Sequence, residues 1–130
     1  MGKKFILISG IAALVLAASG VFGYMNYSMS SAPVIRKLSG MRIAVGLFRM
    51  SNGRPPRDIE EMIRSGNLEA APELKLRTHT ASSKVRNASS TEVIDTGGWG
   101  YVNDPKSADY GTVFIDCSHA DEKGRYWSWF

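Results

Sequence analysis

The densest group of reactive side chains in the chain is Asp116-Cys117-Ser118-His119-Ala120-Asp121-Glu122. On a strand, residues two apart share a face, so Cys117 and His119 would stand together as a thiol–imidazole pair requires. No third orienting group lies at a suggestive spacing and no Gly-rich oxyanion turn adjoins the pair. No catalytic residue is therefore assigned, and the chain reads as a non-enzyme. The plainer account is a buried strand cysteine beside an exposed turn histidine. Zinc asks for four ligands, and Cys117, His119 and His79 are the only N/S donors on offer, so no metal centre is assigned from the sequence. Calcium takes carboxylate oxygens from loops, where Asp104, Asp109, Asp116, Asp121 and Glu122 gather. Asp116 and Asp121 are the pair to which calcium would fall, with solvated turn acids as the alternative. No other cofactor is expected.

The elements that must hold these residues begin with an apolar run. No charge occurs from Phe5 to Ile35, directly after Lys3 and Lys4. About 20 apolar residues suffice to cross a hydrocarbon core as a helix, and Phe5 to Tyr24 meets that length. The anchoring side chains would be Phe5, Leu7, Ile11, Leu14, Leu16 and Phe22. A cleaved export signal is the rival reading, since Ala17-Ala18-Ser19-Gly20 supplies small residues after an apolar core. Against cleavage, apolar character continues through Val21, Phe22 and Tyr24. Lys3 and Lys4 abut the run while Arg36 and Lys37 stand well beyond it. The expected arrangement is a single pass through the inner membrane, N-terminus cytoplasmic and the remainder periplasmic.

Residues 36–130 hold fourteen Lys/Arg against twelve Asp/Glu, too even a balance to signal a nucleic-acid partner, and no small-molecule substrate is indicated. The one cysteine excludes an intramolecular disulfide. After NYSMSSAP, where Pro33 kinks or restarts a helix, Val34, Leu38, Met41, Val45 and Phe48 recur at helical spacing. Part of that stripe is expected on the domain's own sheet and part on neighbouring chains. Asn52-Gly53 should stop the helix, and a short helix follows from Asp58 to Gly66. Residues 77–90 read as an exposed loop. Strands are expected at Glu92–Asp95, at Trp99–Asn103, at Thr112–Cys117 and in Arg125–Phe130, joined by turns as an antiparallel meander. Tyr126, Trp127, Trp129 and Phe130 cannot all point inward from one strand, so some of them cover the helix or form a contact surface. The fold class is α+β, divided as a basic leader at 1–4, a transmembrane helix at 5–25, its amphipathic extension at 26–52 and a globular domain at 53–130.

This arrangement resembles the type IV pilin-like proteins, and most of all the major pseudopilin of type II secretion systems. The likeness is carried by the apolar-then-amphipathic helix and by Leu47-Phe48-Arg49-Met50-Ser51-Asn52-Gly53-Arg54-Pro55-Pro56. It is carried also by the short helix ending in Ser65-Gly66-Asn67-Leu68, and by Gly97-Gly98-Trp99-Gly100-Tyr101 with Gly111-Thr112-Val113-Phe114-Ile115. Family members are cut after a Gly directly preceding an aromatic residue and carry a Glu five residues into the mature helix. Here two lysines separate Gly2 from Phe5, and Ser9 stands where the Glu would be. The resemblance implies a pilin-like fold, calcium in the C-terminal loops, and a structural subunit whose partners are membrane lipid and other copies or pilin-like subunits. A monomeric exported or tethered binding module is the alternative.

Overall fold

The computed structural model describes residues 2–27 and 30–130, with side chains from 8 to 23 and from 30 onward. Helix α1 spans Gly2–Tyr27 and α2 spans Ser31–Asn52. The expected single amphipathic extension is thus a separate helix that begins anew at Ser31. Pro33 sits in its first turn, where a missing N–H is tolerated. Among the described residues no helix is long and apolar enough to cross a membrane. Side chains of α1 are described only over 8–23, and every one of those is exposed.

Helix α2 buries Val34, Leu38, Met41, Val45 and Phe48 along its full length, with Ala44 beside them. The whole stripe packs inside this chain, so none of the five is left for a neighbour. Gly53 closes the helix in the left-handed region at φ 71°, its N–H donating to Arg49 O at 2.8 Å. Arg54-Pro55-Pro56 then turns the chain into α3, Ile59–Arg64, whose N-cap Asp58 accepts from Glu61 N at 2.7 Å. Glu61 reaches back to Arg57 N at 2.6 Å and clamps Arg54 through both oxygens.

The sheet has three strands in the order β1-β2-β3: Val85–Ala88, Trp99–Val102 and Val113–Ile115. The β2–β3 pair is antiparallel with Trp99 opposite Ile115 and Tyr101 opposite Val113, as the turn signals predict. The rest of the meander is corrected. Strand β1 falls inside the segment read as a loop and pairs parallel to β2, Val85 against Trp99 and Asn87 against Tyr101. Its Val-Arg-Asn-Ala sequence carries no strand-like alternation of large apolar residues; only Val85 packs on the core, and backbone bonds to β2 hold the rest. Glu92–Asp95 forms no strand and belongs to the crossover between β1 and β2. The C-terminal aromatics form a 3-10 turn, Trp127–Trp129, and not a strand. Trp127 enters the core while Trp129 stays exposed, which resolves the crowding that four aromatics within five residues would meet. Arg42 Nη2 donates to Phe130 O at 2.6 Å and ties this end to α2.

The core lies between α2, α3 and the inner sheet face, with Trp99 and Tyr101 fully buried. Both place their polar atoms on proline carbonyls: Trp99 Nε1 donates to Pro72 O at 2.7 Å and Tyr101 Oη to Pro56 O at 2.5 Å. A side chain at Gly100 would enter the Phe114 ring, and one at Gly98 would meet Lys84 O at 2.8 Å. Gly98 and Gly100 of the Gly-Gly-Trp-Gly-Tyr run are thus explained by packing.

Candidate functional site

Three segments meet beyond the end of β3. An isolated bridge between Leu74 and Ser82, with N–H···O distances of 2.8 and 2.9 Å, closes a small loop that presents His79. Leu74 and Leu76 are buried and fix that loop to the core. The β1–β2 crossover supplies Asp95, which sits at φ 65°, a left-handed conformation that Asp tolerates better than most residues. The segment after β3 supplies Cys117 and His119. Gly97 lies against His79 so closely that any side chain there would occupy the imidazole's place.

The four donor atoms lie within 4.8 Å of one another. Asp95 Oδ1 is 3.2 Å from His79 Nε2 and 3.3 Å from His119 Nδ1. Cys117 Sγ is 3.6 Å from His119 Nδ1. The two imidazoles meet edge to face, their centroids 5.2 Å apart. Cys117 is fully buried, and the other side chains are 13% (His79), 37% (Asp95) and 43% (His119) exposed, so the group has a closed floor and an open rim. The Ser118 backbone N–H, donating at 2.8 Å, holds Asp95 below its ordinary pKa. Burial pushes the Cys117 thiol up.

Sequence reasoning paired Cys117 with His119 and found no third group. The structure provides one in Asp95, a residue that the sequence places only at the end of the expected strand Glu92–Asp95. A catalytic relay needs the thiol on one imidazole nitrogen and the carboxylate on the other. Here both face Nδ1 of His119, and the raised thiol pKa is the reverse of an activated cysteine. The arrangement converges on a point instead of passing a proton along a line.

The two carboxylates expected to hold calcium are used otherwise. Asp116 is fully buried; its Oδ1 accepts from Ile94 N at 2.8 Å, and its Oδ2 from Thr96 Oγ1 at 2.6 Å and Arg86 Nε at 3.0 Å. Burial works against its charge, but these donors prevail and its pKa is lowered. Asp121 accepts Lys123 N and Arg125 N on Oδ1 and the Arg125 guanidinium on Oδ2. Each carboxylate is engaged by N–H or O–H donors of the chain itself, an arginine among them in both cases. Glu122, counted among the turn acids, caps α2: it accepts Ser31 N at 2.9 Å and Ser31 Oγ at 2.6 Å.

At the other end of the molecule, Ile11, Leu14, Leu16 and Phe22 are exposed, Leu14 and Leu16 each at 73%. Phe5 and Leu7 lie outside the residues whose side chains are described. On α2 the exposed apolar residues are Ile43, Leu47 and Met50, spaced four and three apart on the face opposite the core. Ile43 and Leu47 join Leu68 and Pro72 in lining a shallow apolar groove of about 370 Å³. Of the family-like motifs, Asn52, Gly53, Arg54 and Pro55 form the α2–α3 corner and Gly97, Gly98, Trp99 and Tyr101 the entry to β2. The two meet where Tyr101 reaches the carbonyl of Pro56. No protein-family model, curated protein or solved structure matches this chain. The pilin-like resemblance therefore stands on its sequence motifs.

Proposed function

We propose that this chain is a membrane-anchored, non-enzymatic structural subunit of a pilin-like assembly of the type II secretion kind. The observation that carries this reading is α1, whose described side chains are apolar nearly all round and exposed at every position. A helix of that character is stable only when something apolar surrounds it. At about 1.5 Å per residue its 26-residue backbone extends roughly 39 Å, and it is the uncharged run from Phe5 in the sequence, beyond the side chains described, that supports a membrane setting. Lipid and the same helix of neighbouring subunits are the surroundings we assign. The Ile43/Leu47/Met50 face of α2 continues the contact outside the bilayer, and the sheet domain is presented in the periplasm, the N-terminus remaining cytoplasmic. Pro33 and the fresh start of α2 at Ser31 fit a helix that changes surroundings at that level.

Cysteine crosslinking in intact membranes tests the proposal, using Ile11→Cys, Val15→Cys and Leu47→Cys one at a time. Cys117 is fully buried, so the unsubstituted chain serves as background. Same-position crosslinks along α1 and at Leu47 are expected. Their absence from every position, with a mature N-terminus near Val21 by mass spectrometry, would replace the subunit by an exported monomeric module.

A further inference from the structure

We infer that His79, Asp95, Cys117 and His119 form a structural Zn²⁺ site. The chain contains two histidines and one cysteine, and all three arrive at one point together with a carboxylate. Cys117 and His119 are neighbours on one segment, but local folding does not bring His79 and Asp95 to them, because these come from the Leu74–Ser82 loop and the β1–β2 crossover.

The distances match the ion. With Zn–N and Zn–O near 2.0–2.1 Å and Zn–S near 2.3 Å, tetrahedral ligands stand about 3.3 Å apart for N···O and about 3.5 Å apart for S···N. The observed values are 3.2 and 3.3 Å for the two N···O pairs and 3.6 Å for S···N. All four donor atoms lie within 4.8 Å of one another, so the wider pairs must draw in somewhat as the ion binds. A purely hydrogen-bonded network explains the same atoms less well. His119 Nδ1 faces a sulfur and a carboxylate oxygen at once, and a single N–H points at only one of them. One cation at the centre takes a lone pair from every member.

The chemistry balances simply. As the Zn–S bond forms, the Cys117 S–H bond breaks and its proton leaves to solvent, with no change of oxidation state. One thiolate and one carboxylate neutralise the dication, and both imidazoles bind as neutral ligands. Four protein ligands leave no open position, which makes the site structural and not hydrolytic. Its effect is to clip the His79 loop, the β1–β2 crossover and the post-β3 segment together, in a domain that has no disulfide to do so.

The test uses the full chain in detergent micelles, stripped with a chelator and titrated with Co²⁺ and then Zn²⁺. The expected result is one equivalent of Co²⁺, intense visible bands of a four-coordinate ion, and a sulfur-to-cobalt charge-transfer band that can come only from Cys117. One equivalent of Zn²⁺ should erase both and raise the unfolding temperature. His119→Gln and Asp95→Asn alter partly exposed positions and should keep the fold by circular dichroism. Each should weaken binding by more than the roughly 10–100-fold cost of losing a supporting hydrogen-bond partner. Cys117→Ser should remove the charge-transfer band. A weak six-coordinate spectrum, no sulfur band in the unsubstituted chain, or unchanged affinity in both His119→Gln and Asp95→Asn would overturn the assignment.

Discussion

Asp95, on the β1–β2 crossover, and Asp116, just past the end of β3, face each other across the same junction, yet their surroundings set them to different work. Asp116, at the end of β3, is sealed from water and surrounded by N–H and O–H donors that belong to the fold. Two of those donors, from Ile94 and Thr96, sit on the β1–β2 crossover, and the third is Arg86 on β1. Gly97 N adds a bond to Asp116 O at 2.8 Å. A parallel pair commonly needs a crossover of about a dozen residues or more, often a helix. Here a buried carboxylate secures a shorter, irregular connection. Asp95 is half exposed, and beyond one backbone N–H its Oδ1 faces two imidazole nitrogens, groups that bind metals as readily as they donate protons. The same side chain is mortar where its partners are fixed donors and a ligand where its partners are other ligands.

The comparison breaks most visibly at Asp116. Asp116→Ala leaves the Arg86 guanidinium, a backbone N–H and a hydroxyl without their acceptor, and should cost about 3–5 kcal/mol in urea unfolding. Asp95→Ala should cost far less in the metal-free chain, and an equal cost would mean that Asp95 too is a structural tie.

Gly97→Ala sharpens the contrast from the other side. Its added Cβ would occupy the His79 ring position, and its φ of 74° disfavours any side chain. The backbone penalty is about 1–2 kcal/mol, and cobalt binding should fall with it. Gly66→Ala has a similar φ of 78° with open space around it. It should show the backbone penalty alone and bind cobalt normally.

Glu122 offers a third carboxylate, neither buried tie nor ligand. The Ser31 hydroxyl and N–H hold its pKa down. Glu122→Ala should lower stability by about 1 kcal/mol, the usual worth of a helix N-cap, and its melting curve should respond to salt. No loss would mean that Ser30 or water replaces the cap.

The smallest effect is a pH dependence at Glu61. Arg54, followed by the Arg57 N–H, lowers its pKa to about 2. The folded pKa lies below the unfolded one, so its contribution is present above the ordinary carboxylate range and is lost as pH falls through about 2. Glu61→Gln should flatten that part of the acid unfolding profile, and an unchanged acid limb would place the titration elsewhere.

Much of this architecture was legible in residue order because it rests on local periods. The stripe from Val34 to Phe48, the stop at Asn52-Gly53, the Asp58-to-Gly66 helix and the Trp99/Ile115 hairpin each announce themselves within a short stretch of neighbouring residues. Strand β1 was hidden because it carries no strand-like alternation of large apolar residues. The 3-10 turn at Trp127 was hidden because alternating aromatics look like a strand until the core has no room for them.

The sequence by itself determined the α+β class, the apolar first helix, the face that α2 turns inward and the three N/S donors available to a metal. Only the tertiary structure decided that those donors meet, that Asp95 joins them, and that Asp116 and Asp121 are occupied by the fold's own N–H groups. The reason is physical. Helical and strand periods are written into neighbouring residues, whereas the meeting of residues 79, 95, 117 and 119 depends on how three loops are tied to one sheet.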